Sequence, residues 1–201
     1  MRGILISIQP QWVEKILSGE KTIEIRKTAP KEHGYKVYIY CTKNEKQYFS
    51  NVKCCESLLM DSNSLGKVVA EFTLKTIDEY EFELWDDNTY ESIGKVYYDI
   101  ETGEREVDVF ESDEDIEKTE FAKDSNLTRP QLRQYLGTGI RTCFAWHIDD
   151  LVVYDKPKEL SEFTHNIPDY SNGVVMYSLK SEPLKRPPQS WCYVESICQT
   201  T

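Results

Sequence analysis

Apolar residues recur along this chain in short runs at strand period, whereas helical spacing is confined to two brief stretches. Ile4, Leu5, Ile6 and Ile8 form a first apolar run ending at Gln9-Pro10. Trp12, Val13, Ile16 and Leu17 then fall on one helical face, with Pro10 in the first turn and Gly19 as the stop, which predicts a helix over 10–18. From Lys21 the period returns to two, with Thr22, Glu24 and Arg26 on one strand face and Ile23 and Ile25 on the other. Strands are also predicted over 35–41 and 67–75. Thr128 and Gln131 have the spacing of a capping box ahead of a helix over 129–136, with Leu132, Tyr135 and Leu136 as its apolar stripe and Gly137 as its stop. Strand patterns follow at 143–148 and 151–154, broken by Asp149-Asp150 and closed at Lys156-Pro157, and a last hairpin would pair 174–179 with 191–197. Strands and helices do not alternate as a doubly wound parallel sheet requires, so the expected class is α+β, a bent and mostly antiparallel barrel.

Charge is divided unevenly along the 201 residues. Residues 1–60 hold 10 Lys+Arg against 6 Asp+Glu, residues 61–126 hold 6 against 21, and residues 127–201 hold 8 of each, for a total of −11. A polyanion responds to local potential, so the basic first third remains able to hold a nucleotide or a short strand, while broad coating of duplex is disfavoured. The acidic segment from about 76 to 126 reads as an irregular, solvated insertion, with a protein partner for it as the alternative. No run of 18 apolar residues occurs, and MRGILISIQPQW lacks the pattern of a secretory signal, so no membrane association and a cytoplasmic location are expected. Six cysteines without a C-x-x-C pair, and three scattered histidines, predict reduced thiols, no metal and no cofactor.

The densest polar cluster is Gly19-Glu20-Lys21-Thr22-Ile23-Glu24-Ile25-Arg26-Lys27. A lysine, a carboxylate and a guanidinium there can grip a phosphate or the edge of a nucleobase, the carboxylate accepting from an exocyclic amine; an exposed Glu24–Arg26 ion pair is the alternative. The run from Ile4 through Lys27 and the later Gly66-Lys67-Val68-Val69-Ala70-Glu71-Phe72 resemble the signature of the ASCH (activating signal cointegrator homology) family. Tyr135-Leu136-Gly137, Ala145-Trp146-His147-Ile148 and Tyr154 through Leu160 resemble its phage and prophage subgroup, with the acidic excursion outside the resemblance.

That resemblance implies a PUA-like barrel with a helix after its first strand and a cleft that holds RNA or a modified base. It implies a domain over 1–163 that carries the insertion, with 164–201 as an extension packed on it. Ligand-binding residues would be Lys21, Glu24, Arg26 and Glu71, with Tyr40 a neighbour. Some members hydrolyse N4-acetylcytidine with a lysine, a threonine and a glutamate, and others are reported as ribonucleases. Carried over by motif, Lys21 and Glu71 match, whereas Glu24 stands where the threonine is required, so Lys21, Glu71 and Glu24 would be catalytic only if the protein is an enzyme. Three classes therefore remain: a binder of RNA or of a modified nucleoside, a hydrolase of N4-acetylcytidine or RNA, and an acidic protein-interaction factor of a phage or prophage.

Tyr38 and Tyr40, on the polar side of their strand, are candidate stacking faces, whereas Trp12 and Trp146 are expected in the core. His147 reads as a hydrogen-bonded structural histidine and Cys54-Cys55 as unreactive. Lys185 through Trp191 form either a proline-fixed loop or a flap over a cleft.

Overall fold

The first apolar run becomes strand β1 (Arg2–Ile8), with Ile4, Leu5 and Ile6 fully buried. It leads through Gln9 into helix α1 (Pro10–Leu17), which buries Pro10, Val13 and Ile16 and lies against β3 (Tyr35–Cys41). Gly19 ends α1 with φ +79°, a left-handed backbone that a side chain would strain. The computed structural model describes residues 2–32, 34–43, 62–84, 90–110, 119–137, 142–168 and 179–196. Cys54-Cys55, Cys198 and the 174–178 part of the expected last hairpin lie outside the described residues. No helix among the described residues is long and apolar enough to cross a membrane.

The chain divides into two units, one of residues 1–17, 34–73 and 150–201, the other of residues 18–33 and 74–149. The first unit is built on a seven-stranded sheet in the order β11 (Leu179–Pro183), β10 (Phe163–Pro168), β12 (Trp191–Ser196), β1, β3, β4 (Val68–Leu74) and β9 (Asp149–Lys158). β1 is flanked by β3 in parallel and β12 in antiparallel register, Ile6 facing Ile39 on one side and Trp191 on the other. The neighbouring β3 is buried on both faces, with Val37 and Ile39 on one and Tyr38 and Tyr40 on the other. Tyr38 and Tyr40 are each 4% exposed and pack with Leu5, Val68, Phe163, Leu184 and Val194.

The second unit is built on a five-stranded sheet in the order β2 (Ile23–Arg26), β8 (Thr142–His147), β5 (Ile77–Leu84), β6 (Tyr90–Tyr98) and β7 (Arg105–Phe110). Helices α2 (Glu120–Ser125) and α3 (Arg129–Leu136) belong to the same unit. Its core joins Ile23 and Ile25 to Tyr80, Phe82, Ile93, Phe121, Leu132, Leu136, Cys143 and Ala145. Helix α3 opens as expected, the Thr128 N–H donating to Gln131 Oε1 at 2.9 Å.

The class is α+β, with strands in the majority, as expected. Two features differ from the sequence reading. The described strands form two open sheets and not one closed barrel. The acidic segment is not irregular where it is described: β5, β6 and β7 form an antiparallel meander, because Tyr80 and Phe82 alternate with Glu79 and Glu81 and supply an apolar face. The strand β12 pairs with β1 and β10, and β11 pairs with β10, while the 174–178 partner expected for β12 lies outside the described residues.

Candidate functional site

Lys21, Glu24 and Arg26 are brought together in the second unit, and all three are buried, at 2%, 8% and 5% exposure. The backbone leading into β2 is fixed on two sides: the Thr22 N–H donates to Asp124 O at 2.9 Å, and the Ile148 N–H donates to Thr22 O at 2.9 Å. Helix α2 ends at Asn126, whose φ of 52° turns the chain and leaves the last carbonyls without helical donors. Lys21 Nζ fills that need by donating to Ser125 O at 2.7 Å. A lysine ammonium at a helix C-terminus also meets the negative end of the helix dipole.

Glu24 stands opposite the fully buried Trp146 on β8, and it bridges the two cations. Its Oε2 is 3.4 Å from Lys21 Nζ and its Oε1 is 3.0 Å from Arg26 Nη2. The cluster therefore buries two positive charges and one negative charge, with both carboxylate oxygens committed.

At the outer end of this cluster stand two residues that the sequence reading did not place in the site. Tyr135 of α3, read as part of an apolar stripe, is 37% exposed while Leu132 and Leu136 beside it are buried. Its hydroxyl is hydrogen-bonded to Arg26, and burial pushes its phenol above the ordinary tyrosine range. The exposed Lys27 donates to Leu136 O at 3.0 Å, and its ammonium lies 5.5 Å from the Tyr135 ring centroid. Lys21 and Lys27 thus each cap the C-terminal end of one helix. The basic spacing was visible in the sequence; the carbonyls that it answers, 104 and 109 residues further on, were not.

Glu71 and Tyr40 lie in the first unit with partners of their own. Glu71 on β4 is ion-paired with Lys36 and accepts from the Tyr154 hydroxyl. Burial alone would raise the Glu71 carboxyl, but the Lys36 and Tyr154 hydrogen bonds hold it below the usual carboxylate range. Tyr40, expected as an exposed neighbour of the ligand, is instead a core residue whose phenol is pushed up by burial. Its ring is taken up by packing on the inner face of a central strand.

His147 is hydrogen-bonded as expected, its Nε2 lying 2.9 Å from Asp78 Oδ2, an oxygen that also receives Lys95 Nζ at 2.8 Å. The hydrogen bond to Asp78 raises the imidazole above its ordinary value. The 185–191 segment is tied to β1, Ser7 Oγ donating to Pro188 O at 2.7 Å and the Ser7 N–H to Ser190 O at 2.9 Å. Burial pushes the Cys41 thiol up to about 12 and also raises Cys143 and Cys192, so these three free thiols are poor nucleophiles. Among the described residues no three His, Cys, Asp or Glu side chains gather closely enough to hold a metal ion.

Comparison with known proteins gives a family and a set of similar structures. The ASCH domain model matches residues 6–121, more than half of the chain, and the match runs through most of the acidic segment. A crystal structure of ASCH from Zymomonas mobilis is 15% identical, the alignment covering 96% of this chain and 87% of that one at a TM-score of 0.47. Two of its point mutants give 14% and 15% identity, with 96% of this chain and 90% and 88% of theirs covered, at TM-scores of 0.47 and 0.48. No curated protein matches the chain. With the Lys21–Glu24–Arg26 spacing inside the matched stretch, the chain belongs to the ASCH domain family.

Proposed function

We propose that the protein binds single-stranded RNA or a modified nucleotide, and that Lys21, Glu24 and Arg26 form the charged floor of the site. The observation that carries this reading is the burial of Lys21, Glu24 and Arg26 together, with Glu24 3.4 Å from the lysine and 3.0 Å from the arginine. A buried ion cluster returns little or no net stability compared with apolar packing, so its presence fits recognition better than architecture. Above it, the exposed Tyr135 ring supplies a face on which a base can stack, and the exposed Lys27 supplies a phosphate contact. The RNA and modified-base ligands implied by the family resemblance agree with that chemistry. Glu71 is left outside this minimal site, since its carboxylate is occupied by Lys36 and Tyr154.

A binder is preferred to an N4-acetylcytidine hydrolase because both oxygens of Glu24 are engaged by cations where the hydrolase pattern has a hydroxyl. Thr22 is exposed and stands two residues earlier. Wild type and Glu24→Thr are both expected to leave N4-acetylcytidine intact; turnover by either would favour the hydrolase.

The test uses the exposed residues Tyr135 and Lys27, with the fold of each variant checked by circular dichroism. Anisotropy of labelled 12-nucleotide single-stranded RNAs is measured at several salt concentrations. Tyr135→Ala should weaken binding by roughly 1–3 kcal/mol, the worth of one stacked base. Lys27→Ala should reduce the salt slope by about 0.7, the value for one phosphate contact on a single strand. Binding by the double variant that equals wild type, or no binding by wild type, would overturn the proposal.

A further inference from the structure

The outer strand of the acidic meander has features that the nucleotide site leaves unexplained. β7 ends the five-stranded sheet, and among the described residues it pairs with β6 alone, from Ile93 opposite Phe110 to Tyr98 opposite Arg105. An end strand presents a row of backbone donors and acceptors, and proteins commonly blunt it with lysine or proline. β9, at the end of the other sheet, has that protection in Lys156-Pro157-Lys158. β7 contains neither residue type.

Apolar side chains are exposed on and beside this same edge. Tyr97 is 47% exposed, Tyr98 56%, Val109 39%, and Ile100 in the β6–β7 turn is fully exposed. They are interleaved with exposed Glu101, Glu104, Glu106 and Asp108. Arg105, the one cation of the strand, is already ion-paired with Glu81. The edge therefore offers backbone pairing, apolar contact and unneutralised negative charge together. A second copy of this chain would bring acid against acid, since Glu106 and Asp108 would meet the same residues.

We propose that β7 is a docking edge for an extended, Lys/Arg-rich segment of a partner protein, which adds to the sheet as a sixth strand. Backbone hydrogen bonds along β7 give the affinity, alternate apolar residues of the partner cover Val107 and Val109, and its cations answer Glu106 and Asp108. The acidity that prevents self-pairing thereby selects the partner. This site is independent of the nucleotide reading.

The probe is a labelled decapeptide of alternating Lys and Val, measured by anisotropy against the full chain. Two versions carry N-methyl groups, one on every Lys amide and one on every Val amide. An added strand directs one set of amides at β7 and the other away, so one methylated version should bind at least tenfold more weakly while the other stays close to the parent. The Glu106→Lys, Asp108→Lys double variant should lose at least tenfold, whereas Tyr135→Ala should bind the peptide as wild type does. Amide exchange over Arg105–Phe110 should slow in wild type when the peptide is added. Equal affinities for the two methylated peptides, unchanged exchange over β7, or no binding of the parent at about 1 mM would overturn the proposal.

Discussion

Replacing Glu24 by glutamine removes one charge and almost no volume, so its cost isolates what the carboxylate does for the two buried cations beside it. At an effective dielectric of about 20, a pair of unit charges 3.0–3.4 Å apart attracts by roughly 5 kcal/mol, and Glu24 makes two such pairs. Against that loss stands the several kcal/mol of carboxylate desolvation that the substitution returns. The amide oxygen can still accept from Arg26, but Lys21 and Arg26, at 2% and 5% exposure, then lose the carboxylate charge that both of them contact. The balance falls in the range of about 3–5 kcal/mol typical of breaking a buried pair from one side. For a chain of this length that corresponds to a fall in Tm of roughly 6–20 °C. Thermal unfolding followed by circular dichroism reads it directly. In a Lys21→Met background the same substitution should cost distinctly less, because one of the two stranded cations is gone. A Glu24→Gln protein melting within about 2 °C of wild type would show that the two cations have other means of neutralisation, and the argument from burial would fail.

His147 is raised by Asp78, so its contribution to stability is complete below the unfolded value near 6.5 and is lost as pH rises through the folded value. Wild type should therefore lose more stability than His147→Gln between pH 6 and 8, by about 1 kcal/mol or less because the ring is partly exposed, as read by urea unfolding at each pH. Tyr154→Phe removes a hydrogen bond to the Glu71 carboxylate and should cost roughly 1.5–3 kcal/mol in the same assay. Glu71 is held low, so its contribution is present above its unfolded value near 4.5 and is lost as pH falls through the folded one; Glu71→Gln should flatten the acid limb of the stability curve. Gly66→Ala should cost about 1–2 kcal/mol by chemical denaturation, since φ there is +78°, a left-handed backbone that a side chain strains.

Elements whose signals are local were legible in the sequence. Pro10 and Gly19 delimit α1, Thr128 and Gln131 open α3, and the alternation over Tyr35–Cys41 marks β3. What a strand pairs with is decided by residues far along the chain, and nothing local to Trp191–Ser196 marks β1 as its neighbour. The acidic meander was missed because charge dominated the reading, although Tyr80 and Phe82 alternate as a strand should. In the candidate site, the Lys21–Glu24–Arg26 spacing stood out, but its burial depends on α2 and α3, elements about a hundred residues away. The misplacement of Tyr40 has the same origin. A polar-looking strand face gives no sign that another strand or helix will cover it.

The antiparallel pairing of β1 with β12 sets an order of events during synthesis. β1 pairs from Arg2 with Glu195 to Ile6 with Trp191, so one flank of β1 is completed by a strand that follows it by more than 180 residues. At 5–20 residues per second, about 10–40 s separate the appearance of these partners on a ribosome. The second unit, complete by residue 149, has all its strands available before then. β1, with Ile4, Leu5 and Ile6 destined for full burial, must wait with one flank open. The nascent chain therefore passes through a stage in which one sheet can be finished and the other cannot, and it is during that interval that chaperone contact with β1 would matter most.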